Sequence, residues 1–126
     1  MNSICREIFR AIHEGKWLTI EYKNKQQSVT KYWIGILSLD VRRKSLRVDG
    51  LHLGNLGCTE LNIYIDSILS AAVVEGSFQP RNEALINDIC DYPEKYEALF
   101  HSTANLKVLN YLMDCSRLDS TPYTRK

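Results

Sequence analysis

The chain has 126 residues, of which 44% are hydrophobic and 25% are charged, a balance typical of one soluble domain with its own core. No apolar run approaches the ~20 residues that a membrane-spanning helix needs, and charges near the start are atypical of a signal peptide. We therefore expect a cytoplasmic protein that contacts no membrane. The four cysteines are widely spaced without a C-x-x-C pair, which favours free thiols and no bound metal or other cofactor.

The net charge of +1 is unevenly distributed along the chain. Residues 1–63 carry ten Lys and Arg against six Asp and Glu, a net charge of +4. Residues 64–126 carry six against nine, a net charge of −3. The near-neutral total argues against a strong overall attraction to nucleic acid, and the uneven division predicts two sub-regions with different partners.

The first part of the chain predicts one helix followed by five strands. Apolar residues in 4–14 recur at helical spacing, and Gly15 is placed to end that helix. Alternating patterns then predict strands at 17–22, 29–37, 45–53, 60–65 and 68–74, with a bulge or bend at Gly50. Five short strands in succession are typical of a small, bent antiparallel barrel, so the predicted fold class is α+β.

From Pro80 onwards the pattern is helical. Apolar residues predict a short helix that ends before Pro93, a second helix at about 93–100 and a third at about 104–116. We therefore divide the chain into a barrel domain, 1–78, and a helical linker, 79–126. Because the sequence stops just beyond the last predicted helix, we expect it to continue into a missing C-terminal region.

The sequence carries no recognisable catalytic motif. It lacks the glycine-rich patterns G-x-x-x-x-G-K-[ST] and G-x-G-x-x-G as well as G-x-S-x-G. A Cys/His nucleophile pair stays open, because such partners need not be close in sequence. However, Cys5 and Cys90 lie in apolar helical patterns, where inert buried thiols are common. We expect this segment not to be an enzyme.

The outer face of the predicted sheet combines aromatic rings with cations. Single-stranded nucleic acid is bound by such surfaces, since each base that stacks on a ring contributes ~1–3 kcal/mol and Lys or Arg contacts the phosphates. Lys23 and Lys25 add charge in the first hairpin loop, and the 42–44 turn adds three cations. The candidate ligand-binding residues are Lys31, Trp33, Arg42, Arg43, Lys44, Arg47, His52 and Tyr64.

Other interpretations of these residues stay open. The helices must bury their apolar stripes, and they could do so over Trp17 and Trp33. Cations in turns keep edge strands soluble, and His52 could serve structure alone. The acidic helical part could dock on a parent protein or on a second copy, burying Leu106, Leu109 and Leu112. The alternative function is therefore an interaction or self-association module, such as a homodimer, with no nucleic-acid ligand.

Two segments of the chain, A-I-H-E-G-K-W-L-T-I-E-Y (11–22) and I-Y-I-D-S-I (63–68), carry a resemblance to a known family. Through them, residues 4–76 resemble the WYL domain. The second segment is similar to the family's Phe-Arg-Leu-Asp-Arg-Ile and keeps Asp66 and Ile68. The family's Trp-Tyr-Leu falls near Lys44, Ser45 and Leu46, where the leucine matches.

The resemblance implies a fold and a context. WYL domains resemble Sm-like or SH3-like barrels and regulate or accompany bacterial helicase, nuclease or helix-turn-helix modules. The segment VLNYLMDCSRLDSTPYTRK resembles the link from such a domain to a superfamily 1 helicase-like ATPase. The implied protein is the N-terminal accessory domain of a larger DNA- or RNA-processing ATPase, with that C-terminal ATPase region as a partner. It would bind single-stranded nucleic acid or a nucleotide-like ligand through the sheet face and the 42–47 turn.

Overall fold

The computed structural model describes residues 3–54 and 57–99, and the predicted helix at 104–116 lies outside them. Helix α1 (Ser3–Glu14) precedes a run of five strands, as predicted. These are β1 (Leu18–Lys23), β2 (Val29–Asp40), β3 (Ser45–His52), β4 (Cys58–Tyr64) and β5 (Ile68–Val73), with a 3₁₀ turn (Ile65–Ser67) between the last two. Helix α2 (Glu83–Asp91) and a 3₁₀ helix (Pro93–Leu99) follow. The α+β class is therefore confirmed.

All neighbouring strands are antiparallel, in the order β4-β3-β2-β1-β5. A flat sheet of this order would hold its edge strands about 19 Å apart, at about 4.8 Å per strand spacing. The 3₁₀ turn links those edges through only the four steps from Tyr64 to Ile68, which span at most about 14 Å. The sheet is therefore curved. No pairing joins β4 to β5 among the described strands, so the sheet is open and the predicted closure into a barrel is not confirmed.

Gly50 does not form the predicted bulge. It pairs in regular register with Ile34 and Thr59, and a Cβ at this position would lie 2.6 Å from the Cδ1 atom of Leu61. A larger residue here would therefore force the side chain of Leu61 to shift. The irregularity of this strand pair lies between Ile36 and Ser38, and β2 continues beyond its predicted end, to Asp40.

The inner face of the sheet is apolar and buried. Its most deeply buried side chains are at most 2% exposed: Leu18, Ile20, Ile34, Leu46, Val48 and Ile63. Helix α1 packs against β5 and β1 and adds Ile8 and Phe9 to the same core. The helix ends where predicted, because Gly15 adopts a φ of 69° and its N–H donates to the carbonyl of Ala11 at 3.0 Å.

The described part of the predicted linker packs on the first domain. Asn82 caps α2 by accepting the N–H of Leu85, and its amide donates to the carbonyl of Leu37 at 2.7 Å. The rings of Phe9 and Tyr96 are nearly perpendicular to each other, with centroids 6.1 Å apart. Residues 83–99 therefore share the core of α1 and the sheet.

The described cysteines have different states. Cys5 and Cys58 are not disulfide-bonded, as predicted, whereas Cys90 forms a disulfide, so the prediction is wrong for Cys90. Burial raises the pKa of the Cys5 thiol to about 11, so this group is protonated and unreactive near neutral pH. None of the helices in the described ranges is both long and apolar enough to cross a membrane.

Candidate ligand-binding site

The strand register decides which predicted residues share a face. Trp33 lies opposite Thr19 and Leu51, Lys31 lies opposite Glu21, and these residues face away from the core. Lys31 Nζ is 3.9 Å from a carboxylate oxygen of Glu21. This end of the outer face therefore carries a half-buried tryptophan and a charge-paired lysine.

Acidic residues divide the outer face in two. Arg47 lies opposite Ser38, two rows along the sheet from the row of Trp33 and Leu51. The row between them holds Asp49 and Glu60, which are cross-strand partners. The aromatic and cationic residues consequently do not form one continuous basic surface.

Trp17 lies just before β1 and is covered by a loop segment. Its backbone N–H donates to Ser77 Oγ at 2.9 Å, and its indole N–H donates to the carbonyl of Phe78 at 3.0 Å. The side chain is half-buried. Trp17 therefore anchors the segment that follows β5, and its indole donor is already engaged.

The three cations of the 42–44 turn have different surroundings. The N–H of Arg43 donates to Asp40 Oδ1 at 3.1 Å, and its guanidinium Nε is 4.0 Å from Oδ2. Arg42 lines a separate cleft of about 530 Å³ beside α2. Lys44 has a left-handed φ of 52°, and its carbonyl accepts the N–H of Ile65 at 2.8 Å. Of the three, only Arg43 faces the same cleft as Arg47.

His52 lies on the opposite face from Trp33. It pairs with Tyr32, and the two rings meet edge to face with centroids 5.2 Å apart. Its Nδ1 accepts the N–H of Gly54 at 2.9 Å. His52 therefore stabilises the turn after β3 and is not brought together with the other predicted site residues.

Three of the predicted residues meet in a cleft of about 240 Å³, which we call the arginine cleft. Two adjacent cross-strand rows on the outer face of β2, β3 and β4 build it. Ser38, Arg47 and Asn62 form the first row. Asp40, Ser45 and Tyr64 form the second, and Arg43 closes the cleft from the turn.

Each arginine of this cleft has one carboxylate partner. Arg47 Nε donates to the carboxylate of Glu60, which raises the pKa of the guanidinium. The Arg43 and Asp40 side chains are 78% and 50% exposed, and those of Arg47 and Glu60 are 54% and 51% exposed. Exposed ion pairs of this kind contribute only about 0–1 kcal/mol. Both guanidinium groups are therefore available for exchange to a stronger anion such as phosphate.

A second cleft of about 440 Å³, the lysine cleft, adjoins the first. Asn62 and Tyr64 line both clefts. The remaining lining residues come from the end of β1, its hairpin loop and the 3₁₀ turn: Tyr22, Lys23, Asn24, Lys25, Gln27 and Ser67. Only Tyr64 was among the predicted site residues. The other residues line the same cleft as Tyr64 because the curvature of the sheet brings the β1–β2 hairpin close to the edge strand β4.

The hairpin loop that carries the lysines is held by a side chain. Asn24 Oδ1 accepts the N–H groups of Gln26 and Ser28 at 2.9 and 3.0 Å. Gln27 takes a left-handed φ of 69° within this turn. These two hydrogen bonds from the loop backbone to the Asn24 side chain fix the conformation of the loop. Lys25 is therefore held on an ordered backbone. The sequence signal for this site was Tyr22 followed directly by a lysine-rich turn.

Comparison of the chain with protein-family models and with curated proteins found no match. The resemblance to the WYL domain stays a prediction. Of the residues that carry it, Asp66 lies in the 3₁₀ turn and Ile68 is buried at the start of β5.

Proposed function

We propose that this chain is a non-catalytic binding domain for single-stranded nucleic acid or a nucleotide-like anion, which contacts the arginine cleft and Tyr64. The observation that carries the proposal is the convergence of Arg43, Arg47 and an exposed tyrosine on one polar cleft. Tyr64 is 48% exposed, so its side chain is accessible to a partner. The same cleft contains two serine hydroxyls and one carboxamide.

The chemistry of these groups suits a phosphate next to a planar ring. Guanidinium groups bind phosphate oxygens through two parallel hydrogen bonds. Ser38 and Ser45 add hydroxyl donors, and the amide of Asn62 both donates and accepts. A base that stacks on Tyr64 adds ~1–3 kcal/mol without demanding one sequence.

The proposal extends to fold type and context. Because β5 pairs with β1 and a three-residue 3₁₀ turn joins the two edge strands, the sheet fits an incompletely closed Sm-like or SH3-like barrel. We propose a cytoplasmic, regulatory accessory domain of a larger bacterial helicase-like ATPase, with that ATPase region as its partner. This part of the proposal depends on the WYL resemblance in residues 11–22 and 63–68.

Fluorescence anisotropy with labelled single-stranded DNA and RNA at low salt tests the binding. The Arg43→Glu/Arg47→Glu variant should bind at least tenfold more weakly. Its plot of log affinity against log salt should also be shallower by about 0.7 for each phosphate that the variant no longer neutralises.

Arg6→Glu is the control for charge reversal outside the clefts, because Arg6 is exposed on α1 and lines neither cleft. It should bind as the parent does, and all proteins should share one melting transition. The proposal is overturned if the parent binds neither strand at low salt, or if Arg6→Glu weakens binding as much as the double variant does.

A further inference from the structure

The two clefts are parts of one surface that Tyr64 and Asn62 divide. The arginine cleft, at about 240 Å³, is smaller than the ~300–1,000 Å³ typical of small-molecule sites. It therefore suits a phosphate and part of a sugar. The lysine cleft, at about 440 Å³, lies within that range and is lined by two tyrosines and three carboxamides as well as by lysines.

Cations stand at both ends of this surface. Arg43 and Arg47 lie on one side of Tyr64, and Lys23 and Lys25 line the cleft on its other side. A nucleoside mono- or triphosphate carries all of its phosphates on one side of its base and sugar. Two separated cationic groups with a ring between them fit a ligand that has a phosphate on each side of one nucleoside.

The two cationic groups also differ in their charge balance. Each arginine has a carboxylate partner, Asp40 or Glu60. Among the described residues that line the lysine cleft there is no carboxylate, and both of its lysines are exposed. The lysines therefore offer positive charge that no neighbouring acid of the cleft offsets.

We infer that the ligand is a strand, or a nucleoside bisphosphate that imitates one, which crosses Tyr64 from the lysine cleft to the arginine cleft. This inference rests on the proposed function and deepens it. Tyr64 stacks with the nucleoside at the crossing, Arg43 and Arg47 bind one flanking phosphate, and Lys23 and Lys25 bind the other.

Isothermal titration with adenosine 5′-monophosphate, adenosine 3′-monophosphate and adenosine 3′,5′-bisphosphate tests the inference. The bisphosphate should bind at least tenfold more tightly than either monophosphate. Among oligoadenylates, affinity should rise most steeply from one to two phosphates that flank a nucleoside, and then more slowly with length.

Variants of the two cationic groups test which group binds which phosphate of the ligand. Lys23→Glu/Lys25→Glu should remove the advantage of the bisphosphate while leaving the tighter-binding monophosphate within about twofold of its parent affinity. Arg43→Glu/Arg47→Glu should weaken both. Lys23→Gln/Lys25→Gln, which changes the net charge by the same amount as Arg6→Glu, provides a milder pair if charge reversal disturbs the loop, and Arg6→Glu is the control for lost positive charge outside the clefts.

The outcomes separate this inference from the proposed function. Equal affinities for the bisphosphate and a monophosphate would overturn the inference but leave a nucleotide-binding domain. An unchanged bisphosphate advantage in a folded Lys23/Lys25 variant would also overturn it. If none of the three nucleotides and no oligoadenylate binds, the proposed function fails as well.

Discussion

The two faces of the sheet differ in burial and in polarity. On the inner face, side chains such as Leu18, Ile34 and Leu46 have no exposed surface and pack beneath the helices. On the outer face, the same strands present Glu21, Lys31, Arg47 and other polar groups to water. Because successive residues of a strand point to opposite sides, stability and ligand chemistry can be altered separately in this chain.

The strongest test of this separation removes a core ring. Phe9 has no exposed surface and contacts Tyr96 across the two helical elements. Phe9→Ala should lower the free energy of unfolding by about 3–5 kcal/mol, because it leaves a cavity that the neighbours fill only in part. Urea denaturation measures this loss.

The folded fraction of Phe9→Ala should bind oligonucleotide within twofold of the parent, since Phe9 lines neither cleft. Phe9→Leu serves as a milder variant if the alanine protein does not fold. A selective loss of binding in a fully folded variant would show that the two faces are coupled.

An intermediate effect is expected from Asp88, in the helical layer. Its carboxylate accepts hydrogen bonds from Lys95 Nζ at 2.8 Å and from the Tyr96 hydroxyl, and both lower its pKa. A lowered pKa stabilises the folded state above the unfolded value of about 3.9, and this contribution disappears as the pH falls through the folded value. Asp88→Asn should therefore cost about 1 kcal/mol at pH 7, because the pair is partly exposed.

Urea titrations of both proteins from pH 7 to pH 2 measure that dependence. The difference between parent and Asp88→Asn should shrink steadily towards the acid end. A difference that stays constant over this range would mean that the carboxylate's charge is not what stabilises the helical layer.

The smallest expected effect comes from Glu60, on the outer face. Unlike the arginine substitutions, its replacement should strengthen ligand binding. Glu60→Gln removes the charge that holds Arg47, so phosphate no longer competes with a carboxylate. Since exposed ion pairs of this kind are weak, affinity should rise by no more than about fivefold. The melting temperature should change little. Anisotropy titration would contradict the competition if Glu60→Gln bound more weakly than the parent while remaining folded.

The sequence predicts where α1 and the five strands lie, but it does not predict whether the sheet closes into a barrel. Period-two alternation located all five strands, and helical spacing with Gly15 located α1 and its end. Alternation along β3 also puts His52 on the same side as Leu46 and Val48, away from Trp33. That side is the core face in the structure.

The candidate site depended on geometry that local patterns do not encode. The left-handed residue Lys44 ends a turn in which Arg42 and Arg43 line different clefts, although the three cations are consecutive. The lysine cleft joins residues 22–27 to Tyr64 only through the curvature of the whole sheet. Both arrangements depend on the folded structure. The number of neighbouring cations in the sequence therefore could not show that Arg43, and not Arg42 or Lys44, lines the cleft of Arg47.

The 3₁₀ turn between the edge strands has a consequence for the order of folding. Pairings β1–β2, β2–β3 and β3–β4 are local hairpins, whereas Leu18 pairs with Val73 from the far end of the strand run. Non-local pairings require the closure of long loops and form slowly. We expect the β1–β5 ladder to be the last of the sheet to form, and the lysine cleft to take shape only at that late step.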